Sequence, residues 1–355
     1  MVFDIGSSIE VPANASRFFK DSSEAVKAPI GKIQLAIQDG LLFNRKFDQE
    51  LISYDAQYCT TVSALNTSYV LPILSYLDSV LDLFEFSPRI IDIGCGQGEL
   101  VNHLRERGFE AFGFDPVSRA DSDFITKSLW TPMDAGADLF ILRCVLPHIS
   151  SPWEFLDNLF RVNPEARVLI EYQRIEWSIE ERVWYQLNHD HVNLFLLKNF
   201  EDRFNVLLSG EFSNREWQWV LIETNRDSVL IGANPPPAWL PKLSALISDR
   251  EDFLAKIASV EKRIVIWGAA GKGIVLAHAI SKVRIDFEVT DADSNRWGYF
   301  LEGSGKEVRR PVDIRDAVDQ NSLILVANPN HLNQVREYLV SAAETALPSY
   351  LLNSN

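Results

Sequence analysis

Arg89-Ile-Ile-Asp-Ile-Gly-Cys-Gly-Gln-Gly-Glu-Leu100 is the stretch that decides the fold. Ile90, Ile91 and Ile93 form the β-branched run of a parallel strand covered on both faces. Gly94, Gly96 and Gly98 follow, so the backbone can turn sharply and approach a ligand without Cβ atoms in the way. Glu99 and Leu100 open a helix. The glycines are spaced Gly-x-Gly-x-Gly, whereas a dinucleotide fingerprint spaces them Gly-x-Gly-x-x-Gly and offers the helix N-terminus to a pyrophosphate. Here an acid, Asp92, stands two residues ahead of the first glycine. That order suits a ligand with an ammonium group and no phosphate.

S-adenosylmethionine (SAM) is such a ligand. One helix further on, Phe109-Glu-Ala-Phe-Gly-Phe-Asp115 reads as a second strand that ends in an acid. A carboxylate at that tip can accept the ribose hydroxyls of a nucleoside, as in dinucleotide folds. Turn and spaced acid together favour a SAM site over a bare structural turn.

The 355 residues carry a formal charge of −15. The length implies two or three domains, and the acidic balance argues against nucleic acid or an anionic membrane as partner. No apolar run is long enough to span a bilayer, and the N-terminus lacks the basic and apolar regions of a secretion signal. Cys59, Cys95 and Cys144 are scattered without a Cys-x-x-Cys pair, which fits a reducing compartment and excludes a cysteine zinc cage. The expected address is the cytoplasm.

Along the chain, residues 1–30 read as a partly ordered lead-in. Val70, Ile73, Leu74, Leu77, Val80, Leu81 and Phe84 recur at helical spacing and predict a helix over 68–84. Strands and helices then alternate: helix 99–107, strands 109–114 and 138–142, helix 153–162, strand 166–171, and a terminal antiparallel pair at 204–209 and 217–223. This is the pattern of a doubly wound α/β sheet. Pro235-Pro-Pro-Ala-Trp-Leu-Pro241 marks a boundary, because three successive prolines fit neither a helix nor a central strand. A helix from 241 towards 260 follows. Lys262-Arg-Ile-Val-Ile-Trp-Gly-Ala-Ala-Gly-Lys-Gly273 then opens a second strand–turn–helix unit. Its next strand, 285–291, ends in Asp291; strand 322–327, helix 330–340 and a last strand near Tyr350 complete it. The expected division is 1–60, an N-terminal segment; 61–235, the SAM-binding domain; and 236–355, a smaller Rossmann-like domain.

Four histidines stand in informative places: His148, His189, His191 and His331. Asn188-His-Asp-His191 follows the strand ending at Glu171, where the carboxyl edge of a doubly wound sheet places its ligand loops. A histidine there can remove a proton at neutral pH, with Asp190 to tune it. A capping or hydrogen-bonding role and a metal role stay open, the latter with no third ligand close in sequence. Glu171 is either a ligand-orienting acid or an exposed strand end, and His148 faces the cleft or packs beside Pro147. Lys272 in the second glycine turn suits an anion. Gly-Ala-Ala-Gly-Lys-Gly lacks both the Walker spacing and the following Ser or Thr, so nucleotide hydrolysis is not expected.

From about residue 30 onward the chain resembles the three-part bacterial sugar C-methyltransferases. Gly40-Leu-Leu-Phe-Asn44, Phe47-Asp48 and the Tyr54 and Tyr58 pair match the N-terminal segment of that family. Residues 92–98 match its SAM motif, and Arg143-Cys-Val-Leu-Pro-His-Ile149 resembles its Arg-His-Val-Leu-Glu-His-Ile. Asn188-His-Asp-His191 falls on its Tyr-His-Glu-His or Tyr-Glu-His loop. Trp267-Gly-Ala-Ala-Gly-Lys-Gly273, the segment from Asp291 to Gly298, and Asn328-Pro-Asn330 resemble its C-terminal domain. The resemblance implies a class I SAM-dependent methyltransferase domain followed by a Rossmann-like domain that helps hold a nucleotide-linked 4-keto-6-deoxy sugar. It makes His191 the base that removes the proton α to the ketone, with His189 in support. Glu171, Lys272, His148 and Asn328 are the substrate-facing candidates.

Two departures change the expectations. The family holds zinc through N-terminal Cys-x-x-Cys pairs, whereas this chain has Ala36-Ile-Gln-Asp-Gly40 at the second pair, so no zinc and no other metal is expected. Asn188 stands where the loop motif carries tyrosine, the residue expected to help the base or the ketone. O- or N-methylation of a related small molecule is therefore the first alternative. A non-catalytic SAM-binding assembly module is the second.

Overall fold

The computed structural model describes residues 2–53, 66–134, 136–225, 239–339 and 344–353. Seven strands form the central sheet: β1 (Arg89–Ile93), β2 (Glu110–Phe114), β3 (Ile125–Thr126), β4 (Leu139–Arg143), β5 (Arg167–Gln173), β6 (Asn205–Phe212) and β7 (Trp217–Glu223). Their order is β3-β2-β1-β4-β5-β7-β6. The first five run parallel, while β7 is antiparallel to β5 and to β6. This is the class I methyltransferase arrangement. The chain winds outward from β1 in one direction through β3 and in the other from β4, so the crevice lies where β1 and β4 diverge.

The isoleucines of β1 are buried on both faces, and helices Asn66–Leu81, Glu99–Glu106 and Pro152–Val162 flank the sheet. The helix at 66–81 starts and ends earlier than its apolar spacing predicts and accommodates Pro72. The helix expected from 241 to 260 is Leu240–Ser259. The proline boundary before Trp239 lies outside the described residues, as do Tyr54, Tyr58 and Cys59.

A five-stranded parallel sheet follows, in the order Val308–Arg309, Phe287–Thr290, Arg263–Trp267, Ser322–Val326, Glu344–Ala346. Its edge strand Glu344–Ala346 precedes Tyr350, which lies in a helical turn, Tyr350–Asn353, and not in a strand.

The N-terminal residues correct the expectation of a partly ordered lead-in. Phe3–Pro12 is a strand, antiparallel to Ile30–Gln38, which pairs in turn with Leu41–Asn44. A register shift lies between Ile5 and Ile9, and the exposed Ser7 interrupts the buried set Ile5, Ile9 and Val11, which otherwise keeps a period of two. This sheet packs on the helices of the C-terminal part: Ile5, Ile9, Val11, Ile33 and Leu35 share one core with Leu243, Ile247 and Ile274. Its fourth strand is Asn193–Leu194, immediately after the His-Asp-His loop. The N-terminal sheet therefore anchors the loop that carries the candidate base.

Candidate active site

The glycine turn after β1 is stitched to the tip of β2. The amide of Gly94 donates to the Phe114 carbonyl at 2.7 Å, and that of Gly96 donates to Asp115 Oδ2 at 2.9 Å. The second oxygen of Asp115 accepts from the Val117 amide, also at 2.9 Å. Burial raises the Asp115 carboxyl, and these amides pull it back. Gly94 has φ +74°, and a Cβ there would lie 2.3 Å from Val145 Cγ2, so the turn after β1 and the loop after β4 close on each other.

Asp92 is 3% exposed, and burial pushes its carboxyl up to about 7 against the opposing charge of Arg143. Its Oδ1 has no hydrogen-bond partner among the described residues. A buried acceptor left bare is costly. A cationic ligand at the turn would supply what is missing.

Arg143 at the end of β4 is held from below. Its Nε donates to Glu171 Oε2 at 2.9 Å, and the Tyr76 hydroxyl donates to the other oxygen of Glu171. Tyr76 stacks on Trp219 with ring centroids 4.5 Å apart. Glu171 is buried, and that burial pushes its carboxyl up to about 8. Both of its oxygens are thus used inside the protein, so it positions Arg143 and does not itself meet a substrate. This corrects the expectation of a substrate-facing strand end. The next residue after Arg143, Cys144, has φ +58°, a left-handed conformation at the point where the chain leaves the sheet for Val145 and His148.

His148 and His191, 43 positions apart in sequence, come together: their rings meet edge to face with centroids 4.8 Å apart. The Nδ1–H of His148 donates to the main-chain carbonyl of Asp190 at 2.9 Å. Burial brings His148 down to about 4 and holds His191 well below the ordinary imidazole range, helped there by His148 and Lys272. Both rings are neutral at pH 7. Burial and the nearby Glu302 raise Asp190 well above the usual carboxylate range. Asn188 Oδ1 is buried and has no hydrogen-bond partner among the described residues.

His189 faces elsewhere. Its Nδ1–H donates to the Lys32 carbonyl at 2.8 Å, and its Nε2 accepts from the Asp48 amide at 3.2 Å. Fully buried, it pins the N-terminal sheet, and neither nitrogen is left for a supporting role in proton transfer. Lys272 and Asn328 are likewise committed. Lys272 forms a buried ion pair with Glu216, whose other oxygen accepts from Asn328 Nδ2 at 3.2 Å and from Asn330 Nδ2 at 2.8 Å. The expected anion-binding lysine is thus a tie between the start of β7 and the second glycine turn. Asp291 is similarly filled, by the Ala269 and Asp293 amides and by Arg296. His331 lies on the surface, with Nδ1 2.9 Å from Gln334 Oε1.

Tyr76, Glu216 and Glu302 carry this geometry and had no signal in the sequence. Glu302 follows the strand Phe300–Leu301, which pairs with Phe18–Phe19, and accepts from the Asn14 amide at 3.2 Å. Burial pushes it up to about 7.

Residues 67–205 match the family model of a methyltransferase domain. The match covers β1 to β5, the glycine turn and the His-Asp-His loop. The chain carries a methyltransferase domain. No curated protein matches the chain. Among solved structures, it is similar to the PH0226 protein from Pyrococcus horikoshii OT3, at 13% identity over 47% of this chain and 96% of that one, TM-score 0.36. It is also similar to magnesium protoporphyrin IX methyltransferase from Synechocystis PCC 6803 with bound SAH, at 14% identity over 45% and 85%, TM-score 0.34. A third is N,N-8-amino-8-demethyl-D-riboflavin dimethyltransferase from Streptomyces davawensis, at 18% identity over 45% and 57%, TM-score 0.33. Likenesses this distant leave the acceptor unspecified. Among the described residues, no helix is long and apolar enough to cross a membrane.

Proposed function

We propose that the protein transfers the methyl of SAM to a sugar, nucleotide-linked and carrying a ketone, in polysaccharide or natural-product assembly in the cytoplasm. The observation that carries this is the meeting of His148 and His191 beyond the end of β4, beside the crevice at the glycine turn. In this reading residues 92–98 and Asp115 hold SAM, and His191, neutral and buried, takes the proton from the acceptor. The division at 61–235 and 236–355 belongs to the same proposal, with the C-terminal parallel sheet as a Rossmann-like unit that closes the acceptor side. Its support is the resemblance of the loop motif and of the second glycine turn to the sugar C-methyltransferases.

The alternative, methylation of oxygen or nitrogen, is favoured by Asn188, which replaces the family's tyrosine and leaves its Oδ1 unmatched. Mass spectrometry of products from SAM and a panel of nucleotide sugars tests both. A methyl that stays on carbon through acid hydrolysis supports the first reading. A methyl on oxygen or nitrogen supports the second, and no methylated sugar overturns the sugar assignment.

A further inference from the structure

Arg143, Glu171 and Trp219 stand in one row across the central sheet: Arg143 is the register partner of Glu171, and Glu171 is that of Trp219. Asp92 pairs in register with Ile141, two residues before Arg143 on the neighbouring strand, so Asp92 and Arg143 project from the same face. The helix Asn66–Leu81 covers that face, and its Ile73 and Leu77 share one core with Ile90, Ile141 and Leu169. We propose that Tyr76, on this helix, is a positioning residue for the SAM site read at residues 92–98: through Glu171 it fixes Arg143 beside Asp92, and so sets the electrostatic surroundings in which Asp92 meets its ligand. The inference rests on that reading of the glycine turn.

Tyr76 is 6% exposed, and its ring lies on Trp219, 7° from parallel. The stack carries the hydroxyl to one oxygen of Glu171, while the other oxygen accepts from Arg143 Nε at 2.9 Å. A carboxyl group with a donor on each oxygen cannot turn without losing one of them, so the place of Arg143 depends on Tyr76.

The row matters because of what stands at its end. A cation beside a buried carboxyl favours the charged form. At Asp92 burial works against that form, Arg143 works for it, and Asp115 and Glu99 work against it. The Cys95 thiol on the same turn is held neutral by burial and adds no charge. Moving Arg143 therefore changes how readily Asp92 ionises, without any change in the glycine turn itself.

The test uses the full chain. Tyr76→Phe keeps the ring on Trp219 and removes only the hydroxyl. Glu171 can then turn away, Arg143 loses its fixed place, and its pull on Asp92 weakens. The Asp92 carboxyl, followed by ¹³C NMR in the ligand-free protein and assigned with Asp92→Asn, should titrate higher than in the native protein by roughly 0.5–1 pH unit, part of the effect of a close opposite charge. SAH affinity at pH 7, read by calorimetry, should fall about two- to fivefold, because fewer carboxyls are ionised to hold the ammonium. In the Asp92→Asn background Tyr76→Phe should leave SAH affinity unchanged, a non-additivity that a merely structural role would not produce. Glu171→Asp, which draws the carboxyl group back from both partners, should move the titration in the same direction and serves if Tyr76→Phe fails to fold. An Asp92 titration that stays in place in these variants overturns the role, whatever their stability. A titration that moves while SAH affinity ignores it keeps the hold of Tyr76 on Asp92 and removes the reading of residues 92–98 as the SAM site.

Discussion

Gly31 leaves no room for a side chain beside His189: a Cβ there would lie 2.3 Å from the ring's Cγ. The histidine is held on both nitrogens by backbone groups of Lys32 and Asp48, so ring and strand fit only each other. Gly31→Ala should destabilise the protein by about 1–3 kcal/mol, the usual range for overpacking. His189→Ala should cost a similar amount through lost buried hydrogen bonds. Denaturant melts measure both. A fall in turnover from His189→Ala at unchanged stability would return this residue to the chemistry.

The Lys272–Glu216 pair makes a second prediction. With side chains 11% and 4% exposed, each charge depends on the other. Removing one leaves the partner buried and alone, a loss of about 3–5 kcal/mol. Lys272→Met and Glu216→Gln should therefore each lower stability strongly. The double variant should recover part of the loss, read as a coupling energy in the double-mutant cycle. A phosphate-binding lysine would instead show weakened acceptor affinity with stability unchanged.

Asp115 links the glycine turn to the second strand, and in the proposed SAM site its remaining lone pairs take the ribose. Asp115→Ala should weaken SAH binding by about 1–3 kcal/mol, the scale of a charge-assisted hydrogen bond. Calorimetry measures it. Unchanged affinity would place the nucleoside elsewhere.

Asp92 gives a pH dependence with a definite sign. Its carboxyl is about 7 in the folded protein against an ordinary value of 3.8, because burial disfavours the charge. The stability it contributes is present below about pH 4 and is lost as pH rises through 7. Glu171 and Glu302, raised to about 8 and about 7, act in the same sense, while His148, lowered to about 4, loses its contribution as pH falls below 6.5. The comparison with Asp92→Asn isolates the first effect: the native protein should lose stability relative to that always-neutral variant as pH rises from 4 to 8 in urea melts. SAH affinity should rise over the same interval as Asp92 ionises and meets the ammonium. A pH-independent affinity, equal in Asp92→Asn, would exclude that contact.

The unit of β1, the glycine turn and β2 was legible because its physics is local. A buried strand, a glycine turn and an acid at the next strand tip lie within 27 residues, from Arg89 to Asp115, and each has its own composition. The acceptor end is made by tertiary contacts. His148 meets His191 across 43 positions, Glu302 accepts from Asn14 across 288, and Glu216 gathers Lys272, Asn328 and Asn330. No spacing rule reaches that far. The N-terminal strand was hidden for a different reason: the exposed Ser7 and a register shift interrupt the alternating Ile5, Ile9 and Val11, so the apolar run is too broken to read as a strand. Glu171 and Lys272 read as ligand-facing and His189 as a support for the base, and buried partners claim all three.

His191 carries the most direct test of the proposed chemistry. It lies against His148 and precedes the strand Asn193–Leu194, which ties its loop to the N-terminal sheet. Burial keeps the ring uncharged at neutral pH, the state a base requires. His191→Ala should lower turnover on the order of 10²–10⁴-fold, the size of general-base catalysis, while SAH binding stays intact. With a keto sugar in D₂O and no SAM, the native protein should exchange the hydrogen α to the ketone, and His191→Ala should not. Exchange retained in the variant would remove His191 from proton transfer. Exchange absent in the native protein, with methyl transfer intact, would move the reaction from carbon to oxygen or nitrogen, where Asn188 already points.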